Sequence, residues 1–296
     1  MPARKFFHLF SLWCLAALFA CGLTACRHED AARSASPAQE ARGDFKIGVL
    51  YLSDPRYDPH GFSAAHYQGI EAMQKTLALN PEQILARFDV SAQNPDIIEF
   101  SMRELIAQGA KLIIATSAQQ QEKALELAPE FPQVLFACLH GRPSTLPNVI
   151  RFFGRVYEAH YLAGVAAGLN TKNGKIGYLA ALGKESAEVT SGVTAFAMGV
   201  ASVNPKARIH LRTLGRWYDP VGETLVTRAL LAEGCDLIVQ HSDTATPVRE
   251  AEEAGVMAIG YNTDMRQAAP RAVLTSIVWH WEVYYTRLVH ALLTGQ

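Results

Sequence analysis

From residue 45 onward, apolar runs of strand length alternate with amphipathic stretches long enough for helices. That alternation predicts β-α-β units of a parallel sheet, in which strands buried on both faces read as unbroken apolar runs. Residues 46–52 (KIGVLYL) predict a buried first strand, and residues 62–79 a helix after it. The pattern also repeats. KIGVL at 46–50 returns as KIGYL at 175–179, GAKLII at 109–114 as GCDLIV at 234–239, and VLFA at 134–137 as VMAI at 256–259. Three strands in one order, each returning about 125 residues on, predict two similar lobes rather than a solenoid of short repeats. The expected class is therefore α/β: two Rossmann-like lobes with parallel sheets, joined by a hinge. Ligands of open parallel sheets sit beyond the carboxyl ends of the strands. The loops to inspect are then 53–61, 116–122, 139–142, 183–188, 215–219, 241–246 and 261–264, with hinges near 151–155 and 275–278.

The first 44 residues break this pattern. Arg4 and Lys5 precede an almost wholly apolar run at 6–23 that ends in LTAC at 23–26, the layout of a secretory signal too short to span a bilayer. LTAC resembles the lipobox of bacterial lipoproteins, which implies cleavage before Cys26 and a lipid on its thiol; a plain signal peptide is the alternative. LFAC at 18–21 is a weaker candidate, because Phe19 is bulky where the peptidase takes a small residue. Residues 26–44 hold Ala, Ser and charge without apolar period and read as a flexible tether. Of the 5 cysteines, Cys138 and Cys235 are left in the body of the protein. Exported thiols can pair, but these two fall in different lobes, so buried free cysteines are expected.

Composition narrows the function by exclusion. With 296 residues, 49% hydrophobic and 19% charged, the chain is neither disordered nor fibrous nor a multi-span membrane protein. A net charge of −1 lacks the basic footprint of a nucleic-acid binder. The chain holds no G-x-G-x-x-G fingerprint, phosphate loop, nucleophile elbow or H-E-x-x-H motif. His60 and His66 are six apart and the other histidines show no ligand spacing, so no metal, cofactor or catalytic residue is expected.

Four stretches carry a family likeness: RVYEAHYLAGV at 155–165, QHSDTATP at 240–247, GYNTDM at 260–265 and TSIVWHW at 275–281. In this order they resemble the basic membrane protein family of substrate-binding lipoproteins, over essentially all of 45–296. The resemblance implies a type I periplasmic binding protein fold, with 45–152 and 277–296 as the first lobe and 153–276 as the second. It implies a monomer held by its lipid on the periplasmic side of the envelope, delivering a purine base or nucleoside to an ABC permease and ATPase. Family members usually run some tens of residues further, so the chain is expected to stop inside a first-lobe helix.

The same resemblance implies a purine stacked between an aromatic from each lobe, here Phe62 and Trp217. The alternative is that both are core residues, although each follows turn-forming residues at a strand end. Glu122 aligns with an acidic residue that reads the purine edge; a solvated helix position is its alternative. Ser117 and Gln119 offer neutral donors and acceptors on that loop. Asp243 either binds ligand or caps the helix that follows. Nucleoside-binding members carry Asp at the position of Asn262 and Lys at that of Trp279, where they hold the ribose. An indole accepts no hydrogen bond from a hydroxyl and fills space, which predicts a free base, adenine favoured. A nucleoside ligand, or a sensor or adhesin without transport, keeps the same residues; a regulator needs a helix-turn-helix where the signal and tether stand.

Overall fold

The computed structural model describes residues 43–91 and 93–295; the expected signal, Cys26 and the tether as far as residue 42 lie outside the described residues. The first half runs β1 (Lys46–Leu50), α1 (Phe62–Thr76), β2 (Ile84–Arg87), α2 (Pro95–Ala107), β3 (Ala110–Ala115), α3 (Gln121–Leu127), β4 (Leu135–Leu139) and β5 (Val149–Phe152). The second runs α4 (Val156–Asn170), β6 (Lys175–Ala180), α5 (Ala187–Val203), β7 (Arg208–Thr213), α6 (Pro220–Ala232), β8 (Leu237–His241), α7 (Thr246–Glu253), β9 (Met257–Asn262) and β10 (Val273–Val278), and α8 (Trp281–Thr294) closes the chain.

The strands form two parallel five-stranded sheets, ordered β2-β1-β3-β4-β5 and β10-β9-β8-β6-β7. Numbered from its own first strand, β6, the second sheet repeats the order of the first, so the sequence repeat is a repeat of topology. One residue shows why the motif returns. Gly48 on β1 lies opposite Ile113, and Gly177 on β6 opposite Ile238. A Cβ on Gly48 would meet Ile113 at 2.7 Å and Leu105 of α2 at 2.9 Å; on Gly177 it would meet Ile238 at 3.0 Å and Leu230 of α6 at 3.1 Å. Each lobe packs a helix leucine into the place a side chain would take.

Both faces of each sheet are covered, as the unbroken apolar strands require. In the first lobe Leu50, Ile113 and Phe136 bury against Met102, Leu105 and Leu127, and on the opposite face Ile47, Val49 and Ile114 bury against Ile70, Met73, Tyr285 and Val289. In the second, Tyr178, Val239 and Ile259 meet Ala163 and Phe196, while Leu179, Ile238 and Ala258 meet Leu230 and Val248. Cys138 and Cys235 are buried, free and in different lobes.

The chain passes between the sheets at 153–155 and again at 279–280. β10 keeps its register with β9 as far as Val278, so 277 and 278 belong with the second sheet rather than with α8. The uninterrupted run TSIVWHW carries no mark of its last paired residue. The first helix likewise ends at Thr76, three residues before the sequence reading stops it. Ala78 takes a left-handed φ of 51 there, and Pro81 follows four residues after Leu77. Among the described residues no helix is long and apolar enough to cross a membrane.

Candidate functional site

The carboxyl ends of β1, β6, β8 and β9 deliver their loops to one seam between the lobes. Two contacts define it. Thr263, just past β9, donates its hydroxyl to the His60 carbonyl at 3.0 Å. Gly61 lies so close that a Cβ there would sit 2.6 Å from the Asp243 carbonyl and collide with the Asp58 carboxylate. Gly61 has an ordinary extended conformation, φ −80 and ψ −174, so the restriction is one of space.

At the seam's centre Asn262 donates Nδ2 to Asp243 Oδ1 at 3.0 Å. Asn262 is fully buried and holds a left-handed φ of 72, while its Oδ1 has no hydrogen-bond partner. The Asp243 amide donates to the Trp217 carbonyl at 2.9 Å, which ties the loop after β7 to the loop after β8. Asp243 does not cap α7: the N-cap position is Ala245, and the Thr246 amide is met by Thr244 Oγ1 at 3.0 Å. Of its two sequence-derived roles, the cap is thus taken by a neighbour.

The aromatic candidates lie on opposite lobes. Phe62 opens α1, half-buried, with its ring edge-on to His66 at 4.6 Å. It heads a column in which His66 stacks on Trp281 and Trp281 on Trp279, both at 4.5 Å. Trp217 is half-buried, with His241 edge-on at 5.7 Å. Trp279 sits on the second crossing and faces the first: a Cβ on Gly154 would lie 2.6 Å from its ring, and the Phe153 ring is 5.3 Å away. Its amide donates to the Asn262 carbonyl at 3.1 Å.

The remaining candidates stay on their own loop. Ser117 is buried and caps the short turn Ala118–Gln120, accepting from the Gln119 amide at 3.3 Å. Gln119 and Glu122 are exposed, and among the described residues no hydrogen bond ties either to the second lobe.

The sequence reading passed over a set of acids that the seam gathers. Asp58 comes from the loop after β1, Glu188 from the first turn of α5 and Glu223 from α6. Burial lifts the Asp58 carboxyl above its ordinary range, opposed by the His60 amide and by the charges of His60 and Arg249. Burial also raises Glu188, against a 2.8 Å hydrogen bond from the Tyr261 hydroxyl. Glu223 is fully enclosed and pushed up to about 7 by burial, although Thr244 donates to it. Desolvation first, then the charges of Glu188, Glu223 and Asp58, hold Asp243 well above the carboxylate range, with the Asn262 amide pulling the other way. Asp58 had a readable signal, four residues before Phe62 in a loop already marked. Glu188 closed another marked loop, 183–188, but an acid in the first turn of a helix reads as a solvated charge, and Glu223 lay outside every marked loop.

Beneath the Trp217 loop lies a buried polar cluster. The Tyr178 hydroxyl is 2.9 Å from His241 Nδ1 and 3.2 Å from His160 Nδ1. Burial holds His241 down at about 3, and burial together with His241 lowers His160, so both rings are neutral. One phenol proton cannot serve two nitrogens, so one ring donates from Nδ1 while the other accepts.

Comparison with known proteins fits this geometry. Residues 46–296 match the family model described as ABC transporter substrate-binding protein, PnrA-like (Bmp). A purine-binding protein of Brucella abortus (strain 2308) is 30% identical over 258 residues, covering 87% of this chain and 71% of that one. A Haloferax volcanii protein named as an ABC transporter glucose-binding protein is 37% identical over 193 residues, 65% of this chain; the match spans 49% of that relative, about half its length. Among solved structures, a transcriptional activator of the comK gene from Bacillus halodurans superposes with a TM-score of 0.72 at 21% identity, covering 84% of this chain and 83% of that one. An ABC transporter solute-binding protein from Conexibacter woesei superposes with a TM-score of 0.66 at 21% identity, covering 85% and 81%. At such identity these two speak for the fold alone.

Proposed function

Since the chain belongs to the Bmp family of PnrA-like ABC transporter substrate-binding proteins, we propose that it captures a purine base, adenine above others, between its lobes and delivers it to an ABC permease and ATPase. The observation that carries this reading is the seam itself, where Gly61 of one lobe closes on the Asp243 carbonyl of the other beside the Asp243–Asn262 pair. Contacts drawn from both lobes stabilise the closed form, so ligand shifts an equilibrium already open to the empty protein.

Phe62 and Trp217 supply the two ring faces, and a base stacked on an aromatic gains about 1–3 kcal/mol whichever base it is. Edge contacts then choose. Asp243, Asn262 and Ser117 stand at the strand ends for that purpose, with Gln119 and Glu122 at the rim. A free base is favoured over a nucleoside because Asn262 spends its amide on Asp243, and Trp279 is wedged against Gly154 and Phe153, so neither offers a charge to ribose. The protein acts from the periplasmic side as a monomer on the Cys26 lipid, with 26–44 as tether and the lobes divided as the resemblance implies, save that 277 and 278 go with the second.

Calorimetry of the purified protein with adenine, adenosine and glucose tests the reading. Adenine is expected to bind tightest, by at least about tenfold, or 1.4 kcal/mol. Tighter binding of adenosine overturns the preference for a base, and glucose alone binding overturns the purine class.

A further inference from the structure

The seam collects more negative charge than it pairs. Asp58 approaches from the first lobe, and Glu188, Glu223 and Asp243 from the second. The cations of the region are few. Arg249 of α7 and His60 lie toward Asp58, and His140 of the first lobe toward Glu188. Arg216 and Asp219, on the Trp217 loop, face each other at 3.8 Å. His241 is 3.9 Å from Glu188 but neutral, Tyr261 donates to Glu188, and Asp264 is paired with Arg266.

A second, independent observation points to the same atoms. Asn262 is fully buried and gives Nδ2 to Asp243, yet its Oδ1 has no donor. An amide oxygen left unsatisfied inside a protein costs about 1–3 kcal/mol. A neutral carboxylic acid beside an amide can both accept from its N–H and donate to an acceptor, whereas a carboxylate can only accept. The proton that relieves the like-charge crowding therefore also puts a donor on the residue to which Asn262 is already bonded.

The geometry points to Asp243 as the neutral acid of the closed cleft, joined to Asn262 as an acid–amide pair, so that closing on a neutral ligand takes up one proton from solvent. This rests on the purine reading, because adenine is uncharged near neutral pH and an ionised Asp243 would select for a cation. The burial and charges that hold Asp243 above the carboxylate range are supplied in part by Asp58 and the Gly61 loop, which arrive with the first lobe. Closure thus raises the proton affinity of the group. Binding is strongest on the acid side and weakens as pH rises through the range between the open-state and closed-state values.

Adenine titrations by calorimetry, in buffers of different ionisation heat from about pH 6 to about pH 8, read this directly. Uptake approaching one proton per adenine is expected, with Kd weakening by up to about tenfold per pH unit. Binding with no proton exchange and a flat Kd overturns the proposal and leaves the purine reading standing; no adenine binding at any pH overturns both. D243N is expected to abolish the uptake and flatten the profile, and full uptake in D243N would assign the proton to Glu223 instead. If D243N no longer binds, D58N decides. Removing the charge across the seam is expected to shift the midpoint to lower pH, and an unmoved midpoint overturns the assignment.

Discussion

The two lobes share one strand order but finish their central strands differently. By register, Ala115 and Thr116 at the end of β3 answer to Gln240 and His241 at the end of β8. In the first lobe Thr116 satisfies itself by donating to the Leu50 carbonyl at 2.6 Å, and the groups behind it are aromatic: His66, Trp281 and Tyr285. The second lobe instead gathers imidazoles, a phenol and three acids, of which Glu223 is fully buried and Glu188 and Asp243 are half-buried. On the proposed function, a repeated scaffold serves as an apolar lid in one lobe and as a polar reading surface in the other. The seam where they touch is where the comparison is most easily broken.

The largest effect is expected at Gly61, the lid residue that bears directly on the reading surface. Its backbone suits any residue, so Gly61→Val leaves the first lobe folded but pushes the Asp243 carbonyl away. Adenine affinity should fall by at least about a hundredfold, or 2.7 kcal/mol, with the ligand-free thermal midpoint nearly unchanged. Unchanged affinity would show that the lobes do not meet here when ligand is bound. A smaller effect separates the aromatic partners. Trp217→Ala and Phe62→Ala should each weaken adenine by about 1–3 kcal/mol. Each change should also lower stability, because the Phe62 ring packs on His66 and the first-lobe core and the Trp217 ring on His241 and the second-lobe core. Unchanged adenine affinity in either variant would remove that ring from the stack.

How much of this was legible follows from the range of the interactions. The paired sheets could be read because apolar runs, and a glycine answered by a helix leucine in each lobe, are local marks that survive duplication. The loops of the seam could be read too, since strand ends define them. The resemblance brought Asp243, Asn262, Trp217 and Trp279 into view, and hydrogen bonds join these four through Asp243 and Asn262. Glu188 and Glu223 stayed hidden because their burial depends on loops far away in the chain, as the Thr263–His60 bond, spanning 203 positions, illustrates. The Tyr178 pairing with two histidines was equally out of reach: His160, Tyr178 and His241 come from three elements that look like ordinary core.

Acid should separate the lobes by a smaller margin. His66 in the first lobe, and His160 and His241 in the second, are buried and neutral, with His66 and His241 held at about 3 against an ordinary 6.5. A histidine lowered in the folded state stabilises above its unfolded value, and that contribution is lost as pH falls from 6.5 toward 3. Each costs about 1.4 kcal/mol per pH unit in that window. The buried carboxyls work the other way. Glu223, at about 7 against 4.5, adds stability as pH falls between those values and nothing further below them, and Glu188 and Asp243 are raised in the same direction. The second lobe, with Glu223, Glu188 and Asp243 offsetting its two histidines, should therefore hold its stability down to about pH 4.5 better than the first, where Asp58 alone offsets His66, and below that it should decline more steeply. Tryptophan emission reports this, because Trp217 lies against His241 while Trp281 stacks on His66. In Trp217→Phe the stacked pair Trp279 and Trp281 remains, and the difference from the parent isolates the Trp217 signal of the second lobe. Coincident acid transitions of the two signals at every pH would mean that the polar cluster and the aromatic column carry equal protonic loads, against the contrast drawn from their residues.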